Sequence, residues 1–196
     1  MFNSNNYVIG ICSPSGGGKT TLVKKLADQI EESVIICFDD YGDPFWDIAN
    51  FDDWIKDGAH LNEINTPQLA VDLKNLKNGK SIVSPKDHNV IEPKNIILFD
   101  TLVGRSHVDT GSIIDYLVYI DVPLELALAR RLTRNLSELK VGNLDLETTQ
   151  DKLENINEYL EAYSSRSGPR QIYSAIQDQV KPFSDLVLDG EQDPKF

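Results

Sequence analysis

Five short runs rich in apolar residues divide the chain: residues 7–12 (Tyr-Val-Ile-Gly-Ile-Cys), 34–38 (Val-Ile-Ile-Cys-Phe), 95–99 (Asn-Ile-Ile-Leu-Phe), 116–120 (Tyr-Leu-Val-Tyr-Ile) and the shorter 185–188 (Asp-Leu-Val-Leu). Apolar runs of this length, bounded by polar and turn residues, predict buried strands. Between them the spacing changes from continuous to helical. Leu22, Val23, Leu26, Ala27 and Ile30 fall on one helix face, as do Leu124, Leu128 and Leu132 behind Pro123. Thr66-Pro67 starts a helix with Leu69, Leu73 and Leu76 on one side and Gly79 as its stop, and Leu153, Ile156, Leu160 and Tyr163 form another stripe. Residues 81–83 read as a small extra strand. Wholly apolar strands alternating with helices predict a five-stranded parallel sheet covered on both faces, a three-layer α/β sandwich. At 196 residues the expectation is one domain spanning 1–196.

The first strand runs into Ser13-Pro14-Ser15-Gly16-Gly17-Gly18-Lys19-Thr20-Thr21 and then directly into a helix. A glycine-rich turn between strand and helix, closed by Gly-Lys-Thr, is the setting of a phosphate-binding P-loop and of the P-loop nucleoside triphosphate hydrolase fold. Glycines let successive N–H groups face inward toward a phosphate, and the helix N-terminus adds partial positive charge. Ser15, Gly16, Gly17, Gly18, Lys19, Thr20 and Thr21 are therefore the expected ATP contacts. Lys19 reaches the β- and γ-phosphates and the Thr20 hydroxyl ligates Mg²⁺. The pattern departs at one place: Ser13 stands where a glycine opens the turn, a position that favours glycine for its tolerance of positive φ.

Charge narrows the partners. The formal net charge is −12, which repels nucleic-acid phosphate and anionic lipid, so a small-molecule acceptor is expected and a polynucleotide or membrane is not. Cys12 and Cys37, the two cysteines, each sit inside an apolar run and read as small core residues. No leader or spanning run is visible, and the cytoplasm is the expected location. Homo-oligomerisation is left open.

In open sheets of this kind ligands bind beyond the carboxyl ends of the strands. Asp39, Asp40 and Tyr41 follow the second strand, Asp100 and Thr101 the third, and Asp121 the fourth. Asp39 or Asp40 is suited to accept a proton from a hydroxyl, and Asp100 to support Mg²⁺ beside Thr20. Asp121, just before Pro123, reads as a helix-start residue. Arg130, Arg131 and Arg134 cluster in the next helix; Arg130 and Arg134, spaced i, i+4, share a face and are suited to fork onto phosphate oxygens during transfer. Residues 135–145 are polar and contain Gly142, so a lid is expected at about 134–146. Arg166 and Arg170 around Ser167-Gly168-Pro169 read as a helix–helix turn.

The order P-loop, Asp39-Asp40-Tyr41, an acid after the third strand, Asp121-Val122-Pro123 and Ala129-Arg130-Arg131-Leu132-Thr133-Arg134 resembles the uridine kinase and phosphoribulokinase branch of P-loop kinases. The resemblance extends to the closing strand, 184–190. It implies an ATP-dependent kinase acting on a nucleoside-like hydroxyl, with Lys19 and Thr20 on ATP·Mg²⁺, Asp39 as base, and the arginines of 130–134 on phosphates. Two segments depart from the family. Its Pro-x-Tyr-Asp-like stretch corresponds to Ser84-Pro85-Lys86-Asp87-His88, and its Glu-Gly pair to Asp100-Thr101, followed by Gly104-Arg105-Ser106-His107. Asp40, Tyr41, Lys86 and Arg105 are the expected acceptor contacts; Lys86, His88, Arg105 and His107 would alternatively suit an acidic or phosphorylated acceptor, or be solvated loop side chains. Trp46, Phe51 and Trp54 either line an acceptor pocket or pack a loop. The competing reading is a nucleotide-binding regulatory switch with little or no kinase activity.

Overall fold

The computed structural model describes residues 6–42, 48–141 and 146–192. A parallel sheet of five strands forms its centre: β1 (Tyr7–Cys12), β2 (Ser33–Cys37), β5 (Ile96–Thr101), β6 (Tyr116–Asp121) and β7 (Leu186–Asp189), in the order β2-β5-β1-β6-β7. Two further strands, β3 (Ile82–Val83) and β4 (Val90–Ile91), pair with each other as an antiparallel hairpin. The expected extra strand at 81–83 is therefore half of a hairpin. Its partner, only two residues long, was too short to carry a periodic signal.

Alternation along the strands sorts side chains onto two faces. Ile11, Leu98, Val118 and Ile120 pack with Leu22 and Val23 of α1 (Lys19–Gln29) on one side. Val8, Ile36, Ile97, Phe99, Leu117 and Tyr119 form the larger core on the other. That core is closed by α2 (Phe51–Lys56), α3 (Pro67–Lys77) and α7 (Pro169–Val180). Leu69, Leu73 and Leu76 of α3 are fully buried, each contributing about 2 kcal/mol by burial, and Gly79 follows the helix with φ 73°. The three-layer sandwich and parallel sheet expected from the sequence are both present.

The short α4 (Val108–Gly111) leads to β6, and the long pair α5 (Leu124–Val141) and α6 (Leu146–Ser164) follows it. The segment expected to form a polar lid is mostly helix: α5 continues to Val141, and Gly142 lies outside the described residues. On α6, Tyr163 is buried while Leu146 and Leu153 are exposed, so its apolar stripe docks at one end only. Two strand ends also run further than the apolar runs. Asp100 lies within β5, flanked by Ile11 and Cys37, and Asp121 ends β6 and accepts from Lys181 Nζ at 2.6 Å. Ladder pairing carries these carboxylates into the sheet although their polarity marks a strand end in the sequence. Asp121 is thus a paired strand residue rather than a helix start.

Candidate active site

β1 is the central strand, and its exit forms the glycine loop. Each glycine there has a distinct reason. Gly16 and Gly18 hold positive φ of 88° and 98°, and a Cβ on Gly16 would lie 2.1 Å from the Ala127 carbonyl oxygen. A Cβ on Gly17 would fall 1.6 Å from Ser13 Oγ and 2.9 Å from Ser13 Cβ. Ser13 itself is fully buried and is not among the positive-φ residues. Its side chain fills the hollow beneath Gly17, so the departure from the P-loop pattern is absorbed inside the loop. Gly17→Ala should overpack this hollow and weaken ATP binding by on the order of 10-fold, and Ser13→Gly in the same chain should restore part of the loss, the contact of the new Cβ with the Pro14 carbonyl oxygen at 2.9 Å remaining. Titration of ATP into the two variants checks both.

Lys19 Nζ donates to the Ser13 carbonyl at 2.9 Å, which folds the ammonium over the loop. Thr20 Oγ1 donates to Asp100 Oδ2 at 2.7 Å. Burial pushes the Asp100 carboxyl above the usual carboxylate range; the Lys19 charge and the Thr20 hydroxyl pull it back. Thr20 and Asp100 are hard oxygen donors at the edge of the loop, the set that Mg²⁺ takes alongside phosphate oxygens and water. Among the described residues no cluster of three or more His, Cys, Asp or Glu could hold a metal ion. Cys37 and Cys12 are free thiols, pushed up to about 12 chiefly by burial. Cys12 is the core residue expected from the sequence, whereas Cys37 is only half-buried at the end of β2.

A cleft of about 660 Å³ opens above the loop, lined by the glycine loop, Asp39, Arg130, Arg131, Arg134 and the turn after β7. The three arginines do different things. Arg130 Nη1 donates to the Gly190 carbonyl at 2.7 Å, tying α5 to the turn after β7. Arg131 Nη1 donates to Ser15 Oγ at 2.7 Å, and Arg134 is exposed on the cleft wall. The i, i+4 argument favoured Arg130 and Arg134, whereas the arginine bonded to the loop is Arg131.

Asp39 and Asp40 lie in a 3-10 turn, residues Phe38–Tyr41, that leaves β2. Phe38 anchors it in the core, and Tyr41 donates its hydroxyl to Asp72 Oδ2 at 3.0 Å. Burial, then the Asp72 carboxylate, raises the Tyr41 phenol above its ordinary range. Asp72, itself buried, also accepts from Gln68 Nε2 at 2.8 Å. The sequence reading missed Asp72, although a carboxylate between Leu69 and Leu76 on the apolar face of α3 is the signal that marks it. Lys86, in the turn of the β3–β4 hairpin, bonds Asp40 Oδ1 at 3.1 Å, so three of the four expected acceptor residues are brought into one neighbourhood.

Arg105 is not among them. It pairs with Asp185 Oδ2 at 2.7 Å and donates to the Phe183 and Asp115 carbonyls. These residues precede β7 and β6, at the amino ends of the strands and away from the glycine loop. The sequence placed it near the site because it follows β5 closely; the chain has by then turned back along the sheet. Its bond, with one from the Leu117 N–H, holds the Asp185 carboxyl below the usual range. The stabilisation is therefore fully present above the ordinary aspartate pKa and is lost as pH falls below that value and through the lowered pKa of the folded state. Arg105→Ala should lower the melting temperature near neutral pH, lower it less in acid, and leave turnover unchanged; melting curves at the two pH values with a rate assay check this.

His107 is buried, with Nδ1 2.8 Å from Thr110 Oγ1, and is a core residue. His88 is exposed in the hairpin turn with φ 59°. Phe51 and Trp54 pack with ring centroids 5.6 Å apart, Trp54 being 6% exposed, so they pack α2. Trp46 lies outside the described residues.

A central parallel strand feeding a glycine loop onto a helix, with a basic cleft above it, defines a P-loop nucleotide-binding protein. The chain belongs to the Phosphoribulokinase / Uridine kinase family, which it matches over residues 8–166. It is 31% identical to the uridine kinase of Borrelia duttonii (strain Ly), with 92% of this chain and 85% of that protein covered. It is 25% identical to the uridine kinase of Staphylococcus aureus (strain JH9), with 92% and 86% covered. In fold it is similar to a possible uridine kinase from Bacillus stearothermophilus, with a TM-score of 0.58, 15% identity, and coverage of 94% and 89%. Family membership makes the chain an ATP-dependent phosphotransferase acting on a hydroxyl. Among the described residues no helix is long and apolar enough to cross a membrane.

Proposed function

We propose that the protein transfers the γ-phosphoryl group of ATP to a hydroxyl of a nucleoside, with uridine, cytidine or a related ribosyl compound as acceptor. The observation that carries this reading is that Asp39 and the glycine loop line one cleft, which supports Asp39 as the base for an acceptor bound beside the phosphates. Asp39 takes the acceptor proton as the new oxygen–phosphorus bond forms and the bond to the β-phosphate oxygen breaks. Lys19, the loop amides and the arginines of α5 hold the phosphates and meet the charge that moves onto the leaving oxygen. Thr20 and Asp100 would hold Mg²⁺, which neutralises phosphate charge when bound. The relatives named uridine kinase support a nucleoside.

The charges around the acceptor end support a neutral acceptor over a phosphorylated one. Asp39 lines the cleft and the adjacent Asp40 is already paired with Lys86, so a sugar phosphate would meet a carboxylate and no free lysine from that pair. Residues 1–196 act as one kinase domain in this reading, and about 134–146 as the lid that excludes water over the bound pair.

ADP release measured with ATP, Mg²⁺ and separate additions of nucleosides, nucleoside monophosphates and sugar phosphates tests the proposal. Stimulation by a neutral nucleoside is the expected result. Stimulation by a sugar phosphate alone would overturn the acceptor assignment, and ATP binding without stimulation by any acceptor would favour the regulatory switch.

A further inference from the structure

The Arg131 guanidinium is held from two sides. Its Nη1 donates to Ser15 Oγ in the glycine loop at 2.7 Å, and its Cζ lies 4.0 Å from the centroid of the Tyr159 ring. Its Nε is buried and has no hydrogen-bond partner among the described residues. The face of the Tyr159 ring is what the cation has instead, and a cation over an aromatic face is attracted more strongly where water is excluded.

Tyr159 is in turn fixed from below. Its hydroxyl lies 3.3 Å from that of Tyr173, a buried core residue of α7. The Tyr163 ring lies near both, at centroid distances of 6.0 Å and 6.4 Å, and its hydroxyl donates to the Leu124 carbonyl at the start of α5. The rest of α6 is loosely docked, with Leu146 and Leu153 exposed. These tyrosines are therefore the anchored part of the helix, and a continuous line of contacts runs from the core through Tyr173, Tyr159 and Arg131 to Ser15.

We propose that Tyr159 is a positioning residue for nucleotide binding: its ring holds the Arg131 guanidinium against the phosphate loop, so that α6 sets how firmly the loop grips phosphate. This rests on the reading that the cleft binds ATP, and it does not depend on which acceptor is used. Neither the spacing of the arginines nor the stripe on α6 pointed to Tyr159, which lies one position away from Leu160 on that stripe.

Titration calorimetry of ATP with Mg²⁺ into the full chain tests it, with thermal melts to monitor folding. Tyr159→Phe keeps the ring and should bind ATP within about 2-fold of wild type, whereas Tyr159→Leu should bind about 10-fold more weakly. In an Arg131→Ala chain, adding Tyr159→Leu should cause no further loss; a merely structural tyrosine would still lower affinity there. Should Tyr159→Leu fail to fold, Arg131→Lys carries the test, since it keeps the charge, leaves α6 untouched and should also bind about 10-fold more weakly. Wild-type affinity in the variant used, or a full additional loss in the Arg131→Ala chain, would overturn the proposal. A wild-type chain that binds no ATP would overturn the nucleotide reading itself and this inference with it.

Discussion

Asp39→Asn should bind ATP as the wild type does and lose phosphotransfer by about three orders of magnitude, within the range that a general base supplies. The substitution keeps the size and hydrogen-bonding reach of the side chain and removes its ability to take a proton. Asp39 is suited to this test because its turn is pinned on both sides, by buried Phe38 and by the Tyr41–Asp72 bond, so the variant keeps its backbone. Asp40→Asn is the control. Asp40 is engaged by Lys86 at 3.1 Å, and its loss should free that lysine and lower turnover by less than about 10-fold, the scale of an exposed ion pair. Steady-state rates with ATP titrations separate the two aspartates, and equal losses in both would mean that the base is shared or misassigned.

Lys19→Ala should lose affinity and rate together. The Lys19 ammonium is presented over the loop by the Ser13 carbonyl, and removing one preorganised charge from such a site costs about 10² to 10³ in rate. A second effect follows from Asp100. Lys19 is the largest influence that lowers this buried carboxyl, so without it the carboxyl rises further and the affinity for Mg²⁺ should fall, more steeply toward acid than in the wild type. ATP titrations at several Mg²⁺ concentrations and two pH values check both effects. Lys19→Ala binding ATP·Mg²⁺ like the wild type would contradict the assignment of the glycine loop.

The strands and the glycine loop were legible because their signals are local: continuous apolar runs and a fixed spacing of Gly-Lys-Thr after the first of them. The carboxylates of Asp39 and Asp100 were legible for the same reason, since a parallel sheet gathers whatever follows its strands. What escaped depends on contacts distant in sequence. Asp72 reaches Tyr41 across 31 positions, and Arg131 reaches Ser15 across 116; no window of sequence contains either pair. Arg105 shows the converse. Its nearness to β5 along the chain suggested the site, but the backbone turns back and delivers it to Asp185. Ser13 belongs to both groups, since it was visible as a departure, while its accommodation by Gly17 required the loop's three-dimensional shape.

The most direct test of the central claim is mass spectrometry of the product formed from uridine, ATP and Mg²⁺ by the wild type and by Asp39→Asn. A nucleoside monophosphate and ADP in equal amounts are expected from the wild type, with neither product above background from the variant. Wild-type conversion of ATP to ADP and free phosphate, with uridine recovered unchanged, would contradict it.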